Sequence, residues 1–165
     1  MVEMHLAAVR VELPTNTPIL LLQEVEGARR TLPIYIGAAE ATAIAYALQG
    51  VVTARPMTHD LMRDLLAELS AVVDCVVITE LRESTFFAEI RLSLGGQRHT
   101  VSARPSDAIA LAARLGTTIY AEDALLDAEG VQLSEEEPEA GPDQDDLVVQ
   151  FREFIEGVKP EDFSS

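Results

Sequence analysis

Residues 103–116 read ARPSDAIALAARLG, and this stretch decides the fold that the rest of the chain is expected to adopt. A proline just inside a run of strong helix formers, closed by a glycine, predicts one short helix. Asp107 and Arg114 are expected on one face of it. The opposite face repeats small and apolar residues at helical spacing and is expected to meet a core: Ala108, Leu111, Ala112 and Leu115. The polar first turn offers free backbone N–H groups to a carboxylate or a phosphate.

An upstream stretch, residues 55–61 with the sequence RPMTHDL, repeats this pattern loosely. Both stretches place Arg-Pro ahead of an aspartate that opens a helix, but Asp107 comes three residues after its arginine and Asp60 comes five after Arg55. One interpretation is an ancient duplication of a strand–helix unit. We expect this second helix to begin with Thr58 as its N-cap. Its buried stripe is expected to consist of Leu61, Met62, Leu65, Leu66 and Leu69.

The starts of two helices carry candidate functional groups. His59 lies off the predicted leucine stripe, where it is either a general base, a phosphate ligand or a surface histidine. Asp60 and Asp64 are four residues apart and share a helix face, which suits either a divalent cation or a solvated acidic surface. Glu40, in the first turn of an alanine-rich helix that ends at Gly50, either caps that helix or has a functional role.

Most of the remaining chain has the residue alternation of β-strands. Three strands in succession near the N-terminus imply an antiparallel meander, and Gly95-Gly96 is a strong hairpin signal between two later strands. A short helical segment is expected near the end of this region, at residues 122–127. The predicted strands are residues 4–13, 19–24, 29–36, 72–81, 86–94, 97–103 and 117–121.

The length and composition of the chain limit the class of protein to which it can belong. A chain of 165 residues, 48% of them hydrophobic, is long enough for one domain with a core. No apolar run approaches the roughly 18–20 residues that a membrane span needs, and the N-terminus lacks the pattern of a secretory signal. The single Cys75 excludes an internal disulfide. The expected location is therefore the reducing cytoplasm, with no membrane partner.

The charge of the chain limits how it can meet a nucleic acid. Its formal net charge of -16 argues against broad, sequence-independent binding, so a local arginine cluster or a metal ion would have to bring in phosphate. Residues 134–165 carry eleven acidic and two basic side chains. Residues 134–146 are expected to be a flexible acidic linker. Residues 147–165 are expected to contain an amphipathic helix that docks on its own domain or on a partner subunit.

Three separated motifs together resemble the bifunctional nuclease domain family of bacterial and plant proteins: residues 32–41 (LPIYIGAAEA), 55–61 and 103–111. The likeness covers roughly residues 3–130, and the tail at 151–163 also resembles bacterial members, so residues 1–133 are expected to form the family's domain. The resemblance implies an α+β fold in which helices pack against a curled, mostly antiparallel sheet. It also implies a homodimer, and an activity on RNA and DNA like that described for the plant members.

The positions that match the family's polar motif residues supply the parts that a nuclease hydrolysing phosphodiester bonds needs, and this is the leading hypothesis. The expected catalytic residues are His59, Asp60, Asp107 and Glu40. The expected substrate-binding residues are Arg55, Arg104, Thr58 and Ser106. In this interpretation the carboxylates hold Mg²⁺ or Mn²⁺, His59 is the general base, and the two arginines bind phosphate and stabilise the charge of the transition state.

Two other functions fit the same residues. A non-catalytic dimeric scaffold or regulatory protein would use its Arg–Asp pairs only to cap helices and to lock the corner between a strand and a helix. A small-ligand sensor would instead hold an anion at the corner formed by Arg104 and Asp107.

Overall fold

A seven-stranded sheet is the centre of the structure. The computed structural model describes residues 1–132, which contain seven strands and four helices. The strands are β1 (Val2–Glu12), β2 (Thr17–Glu24), β3 (Thr31–Tyr35), β4 (Val72–Arg82), β5 (Thr85–Leu94), β6 (Gln97–Ala103) and β7 (Ile119–Ala121). The helices are α1 (Ala38–Leu48), α2 (Thr58–Glu68), α3 (Pro105–Leu115) and α4 (Asp123–Glu129).

The strands follow the order β3-β2-β1-β7-β4-β5-β6 across an open sheet. Every neighbouring pair is antiparallel except β4 and β7, which run parallel. The expected α+β fold with a mostly antiparallel sheet is therefore confirmed. In residues 1–132 no helix combines the length and apolarity that crossing a membrane requires. The predicted linker at 134–146 and the predicted helix in 147–165 lie outside the described residues.

The shortest strand joins two halves of the sheet. β1, β2 and β3 form one antiparallel meander, and β4, β5 and β6 form another, in which Gly95 and Gly96 make the predicted hairpin turn with positive φ angles. β7 lies between the two meanders, with Ile119 opposite Met4 of β1 and Val76 of β4. α3 connects β6 at the edge of the sheet to β7 at its centre, so the first turn of α3 directly follows the end of β6.

The core lies between the sheet and the helices α1 and α3. α3 buries Ala108 and Leu111, as its pattern predicts, whereas Leu115 at its end is 37% exposed. α1 packs against α3 and buries Ala41 and Ala43. Small side chains on both helices allow their backbones to approach closely. This close packing holds the first turns of the two helices near each other.

The predicted buried stripe of α2 is wrong for three of its five members. Leu61, Leu65 and Leu69 are exposed, while Met62 and Leu66 pack against the core. The helix also buries His59, which precedes Met62 by three residues and Leu66 by seven. Positions at this spacing share one helix face, so burying the histidine turns the other three leucines toward solvent.

A buried carboxylate ties β2 to α4. Glu24 is 3% exposed, and its Oε1 accepts hydrogen bonds from Arg30 Nε at 3.0 Å and Nη2 at 2.6 Å. Arg30 Nη1 also donates to Asp127 Oδ1 of α4 at 2.6 Å. The Arg30 guanidinium lowers the pKa of Glu24, against the opposing effect of burial. Glu24 is therefore held in its charged form inside the fold.

Glu24→Gln is expected to lower the free energy of unfolding near neutral pH. It should also make that free energy less dependent on pH in the acidic range. Because the pKa of Glu24 in the folded chain lies below its ordinary value of 4.5, the carboxylate stabilises the fold above that pH, and this contribution is lost as pH falls through the lowered pKa. In urea unfolding, the stability difference between wild type and Glu24→Gln should therefore narrow from about pH 6 to about pH 3.

Asp127→Asn is the control for this experiment, because Asp127 is the 73% exposed partner of the same arginine. A change at this exposed position should have little effect on stability. A constant difference between wild type and Glu24→Gln over the whole pH range would contradict the expectation.

Candidate active site

The first turns of α1, α2 and α3 meet around one arginine. Each first turn contributes a predicted site residue: Glu40 from α1, His59 from α2 and Asp107 from α3. Arg104, the N-cap of α3, contacts the first and the last of these. The structure thus places four of the eight predicted site residues in one chain of contacts, which runs from Glu40 through Arg104 and Asp107 to His59.

Arg104 is the centre of this chain of contacts. Its Nε donates to Asp107 Oδ2 at 2.7 Å and its Nη2 donates to Asp107 Oδ1 at 3.0 Å, a two-bond pairing of guanidinium and carboxylate. Its Nη1 lies 2.8 Å from Glu40 Oε1. Arg104 lowers the pKa of Asp107 below its ordinary value of 3.8, and His59 adds to this effect while burial opposes it. Asp107 is therefore a carboxylate at neutral pH.

His59 is buried and reaches the same carboxylate. Its side chain is 9% exposed, and its Nε2 lies 3.2 Å from Asp107 Oδ1 although the two residues are 48 positions apart. The interpretation of His59 as a surface histidine is therefore wrong. When Nε2 carries the proton it donates to Asp107, and Nδ1 keeps its lone pair. No residue in 1–132 hydrogen-bonds Nδ1. A carboxylate that orients an imidazole in this way is a common arrangement of a general base.

Glu40 turns toward Arg104 and does not cap its own helix. The N-cap of α1 is Gly37, and α1 has no hydrogen bond from a capping side chain. The Glu40 side chain is 18% exposed and contacts Arg104. A Cβ at position 37 would overlap Glu40 Oε2. A side chain at position 37 would therefore make the Glu40 carboxylate shift.

Asp60 belongs to a separate ion pair. Its Oδ1 accepts a hydrogen bond from Arg114 Nε at 2.6 Å, and its Oδ2 accepts one from the backbone N–H of Met57 at 3.0 Å. Arg114 lowers the pKa of Asp60. The N-cap of α2 is Met57, so the prediction that Thr58 caps this helix is wrong. Asp60, in the first turn, accepts the backbone N–H of the N-cap residue itself.

The three remaining predicted residues have different surroundings. Arg55 is exposed, and its guanidinium forms no ion pair or hydrogen bond with the part of the chain that the structure describes. Thr58 is exposed at the first position of α2, whereas Ser106 is buried in the first turn of α3. The echo between residues 55–61 and 103–111 does not extend to the ion pairs, because Asp60 binds Arg114 and not Arg55. The duplication stays a prediction.

Two residues that shape this region, Arg114 and Gly37, were given no role by the sequence analysis. Arg114, whose side chain is 4% exposed, connects the end of α3 to the start of α2. Its signal was its position seven residues after Asp107, on the same helix face. Gly37 could have been found by its place three residues before a first-turn glutamate. Neither signal identifies the contact that the residue makes. The partner of Arg114 lies on another helix, and the contact at Gly37 depends on the side-chain conformation of Glu40.

The carboxylates of this region are each engaged by an arginine. Arg104 contacts Glu40 and Asp107, and Arg114 contacts Asp60. Among the residues that the structure describes, no three His, Cys, Asp or Glu side chains are grouped as a metal site requires. The involvement of Mg²⁺ or Mn²⁺ stays a prediction.

Several known proteins are similar in sequence to the part of the chain that contains these residues. The family model described as the bifunctional nuclease domain matches residues 20–134. An uncharacterized protein of Mycobacterium tuberculosis strain H37Rv is 44% identical over 165 residues, which cover 99% of this chain and 98% of that protein. Bifunctional nuclease 2 of Arabidopsis thaliana is 27% identical over 126 residues, which cover 73% of this chain and 38% of the plant protein. The region matched by the family model contains all four residues of the contact chain around Arg104.

Asp60→Ala is expected to destabilise the protein by about 2 kcal/mol, because it leaves the buried Arg114 guanidinium without its carboxylate. Urea unfolding measures the change. Asp64→Ala is the matched control on the same helix, since Asp64 is 45% exposed and pairs with its exposed neighbour Arg63. Its effect should stay within about 0.5 kcal/mol. Equal losses in the two variants would show that the pair between α2 and α3 contributes nothing specific.

Proposed function

The chain belongs to the bifunctional nuclease domain family, and from this premise we propose that it is a nuclease that hydrolyses the phosphodiester bonds of RNA, DNA or both. The observation that supports this most strongly is the contact of His59 Nε2 with Asp107 Oδ1 at 3.2 Å. It provides an oriented imidazole that can activate water. The class of substrate is taken from the description of the family and from the name of the plant relative.

His59 is the general base of the proposed reaction. Its Nδ1 takes a proton from a water molecule while the water oxygen forms a bond to phosphorus. The bond between phosphorus and the leaving ester oxygen breaks, and that oxygen takes a proton from solvent. Asp107 orients the imidazole through the Nε2 proton and stabilises the imidazolium that forms. Arg104 supports this role because it lowers the pKa of Asp107 and so keeps it ionised.

The phosphate group needs a cation whose charge is not already matched. The guanidinium of Arg104 is shared between Asp107 and Glu40, so its first role is to position Asp107. We assign phosphate binding mainly to Arg55, which is exposed and lies four residues before His59. The exposed hydroxyl of Thr58 is a second candidate contact. Direct phosphate contacts of Arg104 and Ser106 stay predictions.

Each of these carboxylates contacts a guanidinium, and residues 1–132 contain no group of three His, Cys, Asp or Glu side chains that could hold a metal ion. The proposed reaction therefore uses no metal-dependent step. The sequence-based prediction of Mg²⁺ or Mn²⁺ is tested by adding either ion, or EDTA, to the cleavage assay described below. Loss of activity in EDTA that Mn²⁺ restores would support the prediction.

A second candidate function is a non-catalytic scaffold or regulatory protein. It is favoured by the pairing of Arg104, whose Nε, Nη1 and Nη2 all meet carboxylates of this same chain. With the contact between Asp107 and His59, these contacts hold the starts of three helices together. In this function Asp107 contributes stability and no chemistry. The two functions therefore predict different results for the same variants.

His59→Gln and Asp107→Asn are each expected to lower kcat for cleavage of labelled single-stranded RNA or DNA by about 100-fold or more. The glutamine side chain has no basic nitrogen, and the neutral asparagine side chain cannot stabilise an imidazolium by charge. KM should change much less, because neither residue is assigned to substrate binding. Asp64→Asn, on the same helix as His59 but outside the contact chain, should keep the activity of wild type.

Two outcomes would overturn the nuclease proposal. Equal cleavage by wild type, His59→Gln and Asp107→Asn would show that the activity comes from a contaminant. No cleavage by any folded protein, together with a lower Tm for Asp107→Asn than for wild type, would support the scaffold function instead.

Arg55→Ala is expected to raise KM several-fold with a smaller change in kcat. Removing one phosphate contact should also make KM less dependent on salt. The slope of log KM against log salt concentration should decrease by about one. Arg98→Ala is the matched control, because Arg98 is an exposed arginine near the hairpin end of β6, at the opposite end of that strand from Arg104. If both variants raise KM equally, the effect is one of overall charge and Arg55 has no specific role.

A further inference from the structure

Glu40 lies in the candidate site, but the proposed reaction gives it no step. Its side chain is 18% exposed, and its Oε1 lies 2.8 Å from Nη1 of Arg104. Within residues 1–132 this is the ion pair that Glu40 forms, and its carboxylate accepts no hydrogen bond there. The role of Glu40 therefore depends on what its contact with Arg104 does.

Arg104 holds its two carboxylates in different ways. Nε and Nη2 donate to the two oxygens of Asp107 at 2.7 and 3.0 Å, which uses two of the five N–H groups of the guanidinium. The contact of Nη1 with Glu40 is equally short, but it is not aligned as these two hydrogen bonds are. Asp107 by itself thus fixes the orientation of the guanidinium. Glu40 adds charge attraction and little orientation.

The edge of the guanidinium that faces away from Asp107 is suited to a phosphate group. The Arg104 side chain is 65% exposed, so an anion from solvent can reach it. Nη1 and Nη2 together form a fork that matches two oxygens of a phosphate as well as it matches a carboxylate. Oε1 of Glu40 lies against Nη1 of this fork. Glu40 and a phosphate would therefore compete for the same donors.

The Glu40 carboxylate has a second favourable position at the start of its own helix. Glu40 lies in the first turn of α1, and this helix has no hydrogen bond from a capping side chain. Free N–H groups and the partial positive charge of a helix start stabilise a carboxylate there. Oε2 is already close, because a Cβ at position 37 would overlap it. A change of rotamer can thus move the carboxylate from Arg104 to the start of α1 without leaving its charge unmatched.

We propose that Glu40 occupies the phosphate-binding edge of Arg104 in the free protein and moves away when a phosphate group of the substrate binds. This inference rests on the proposed function, which supplies the phosphate group. Displacing the carboxylate weakens the binding of every phosphate at Arg104. A nucleic acid strand offsets this cost through further phosphate contacts, such as the one assigned to Arg55, whereas a free phosphate ion does not. Glu40 thereby keeps the site free of single phosphate ions.

Binding of inorganic phosphate to the full chain tests this proposal without any cleavage. The Tm is measured at increasing phosphate concentration, with sodium chloride of equal ionic strength as the reference. Glu40→Gln should bind phosphate about tenfold more tightly than wild type, because the neutral amide keeps the shape of the side chain but not the competing charge. Combining Glu40→Gln with Arg104→Gln should abolish this gain.

Glu68→Gln is the matched control. It removes the same charge from an exposed glutamate at the last position of α2, at the opposite end of that helix from His59. It should bind phosphate as wild type does. Circular dichroism checks that each variant is folded. If the variant that also lacks Arg104 does not fold, the comparison of Glu40→Gln with Glu68→Gln still decides.

Cleavage of labelled single-stranded DNA separates this role of Glu40 from a catalytic one. Glu40→Gln should lower KM several-fold, whereas removal of a catalytic group would lower kcat and leave KM high. The second pattern would overturn the proposal. So would a phosphate affinity of Glu40→Gln equal to that of wild type, an equal gain in Glu68→Gln, or a gain that persists without Arg104. If no protein cleaves DNA but phosphate binds as expected, the nuclease proposal fails and the competition at Arg104 is supported.

Discussion

The guanidinium of Arg104 is the interaction on which the geometry of the site depends. It binds Asp107 of its own helix through two hydrogen bonds and contacts Glu40 of α1, and Asp107 in turn contacts His59 of α2. One planar cation with several fixed donors can satisfy carboxylates in different directions, which the single charge centre of a lysine does less well. Three helices from separate parts of the chain therefore begin at one place.

The pair of Asp60 with Arg114 has a different consequence, because it helps to fix the rotation of α2. His59 and Asp60 both face α3, where they meet Asp107 and Arg114. Because of these contacts, one face of α2 packs against the core. The opposite face then carries Leu61, Leu65 and Leu69 to the surface. The contacts that bury a candidate general base thus also expose three leucines of the same helix.

The electrostatics of the region are compatible with the anionic substrate that we propose for this acidic chain. Each site carboxylate lies against an arginine, so the local surface is less negative than the net charge of -16 suggests. The same pairing has a second effect: it keeps Asp107 ionised, which suits both a residue that orients a base and a purely structural residue. What separates the two roles chemically is Nδ1 of His59, the nitrogen for which residues 1–132 offer no hydrogen-bond partner. A structural pair has no use for that lone pair, whereas a general base requires it.

The sequence by itself determined the strands, the hairpin at Gly95-Gly96 and the α3 helix with its polar first turn, because periodicity, turn residues and helix ends are local signals. It also contained the motifs that mark Glu40, His59, Arg104 and Asp107, although not their contacts. Only the tertiary structure decided which face of α2 is buried. That helix has two apolar rows, and a local pattern cannot rank them. The choice depends on His59 and Asp60 meeting partners 48 and 54 positions away, which form only when α3 is packed on the sheet.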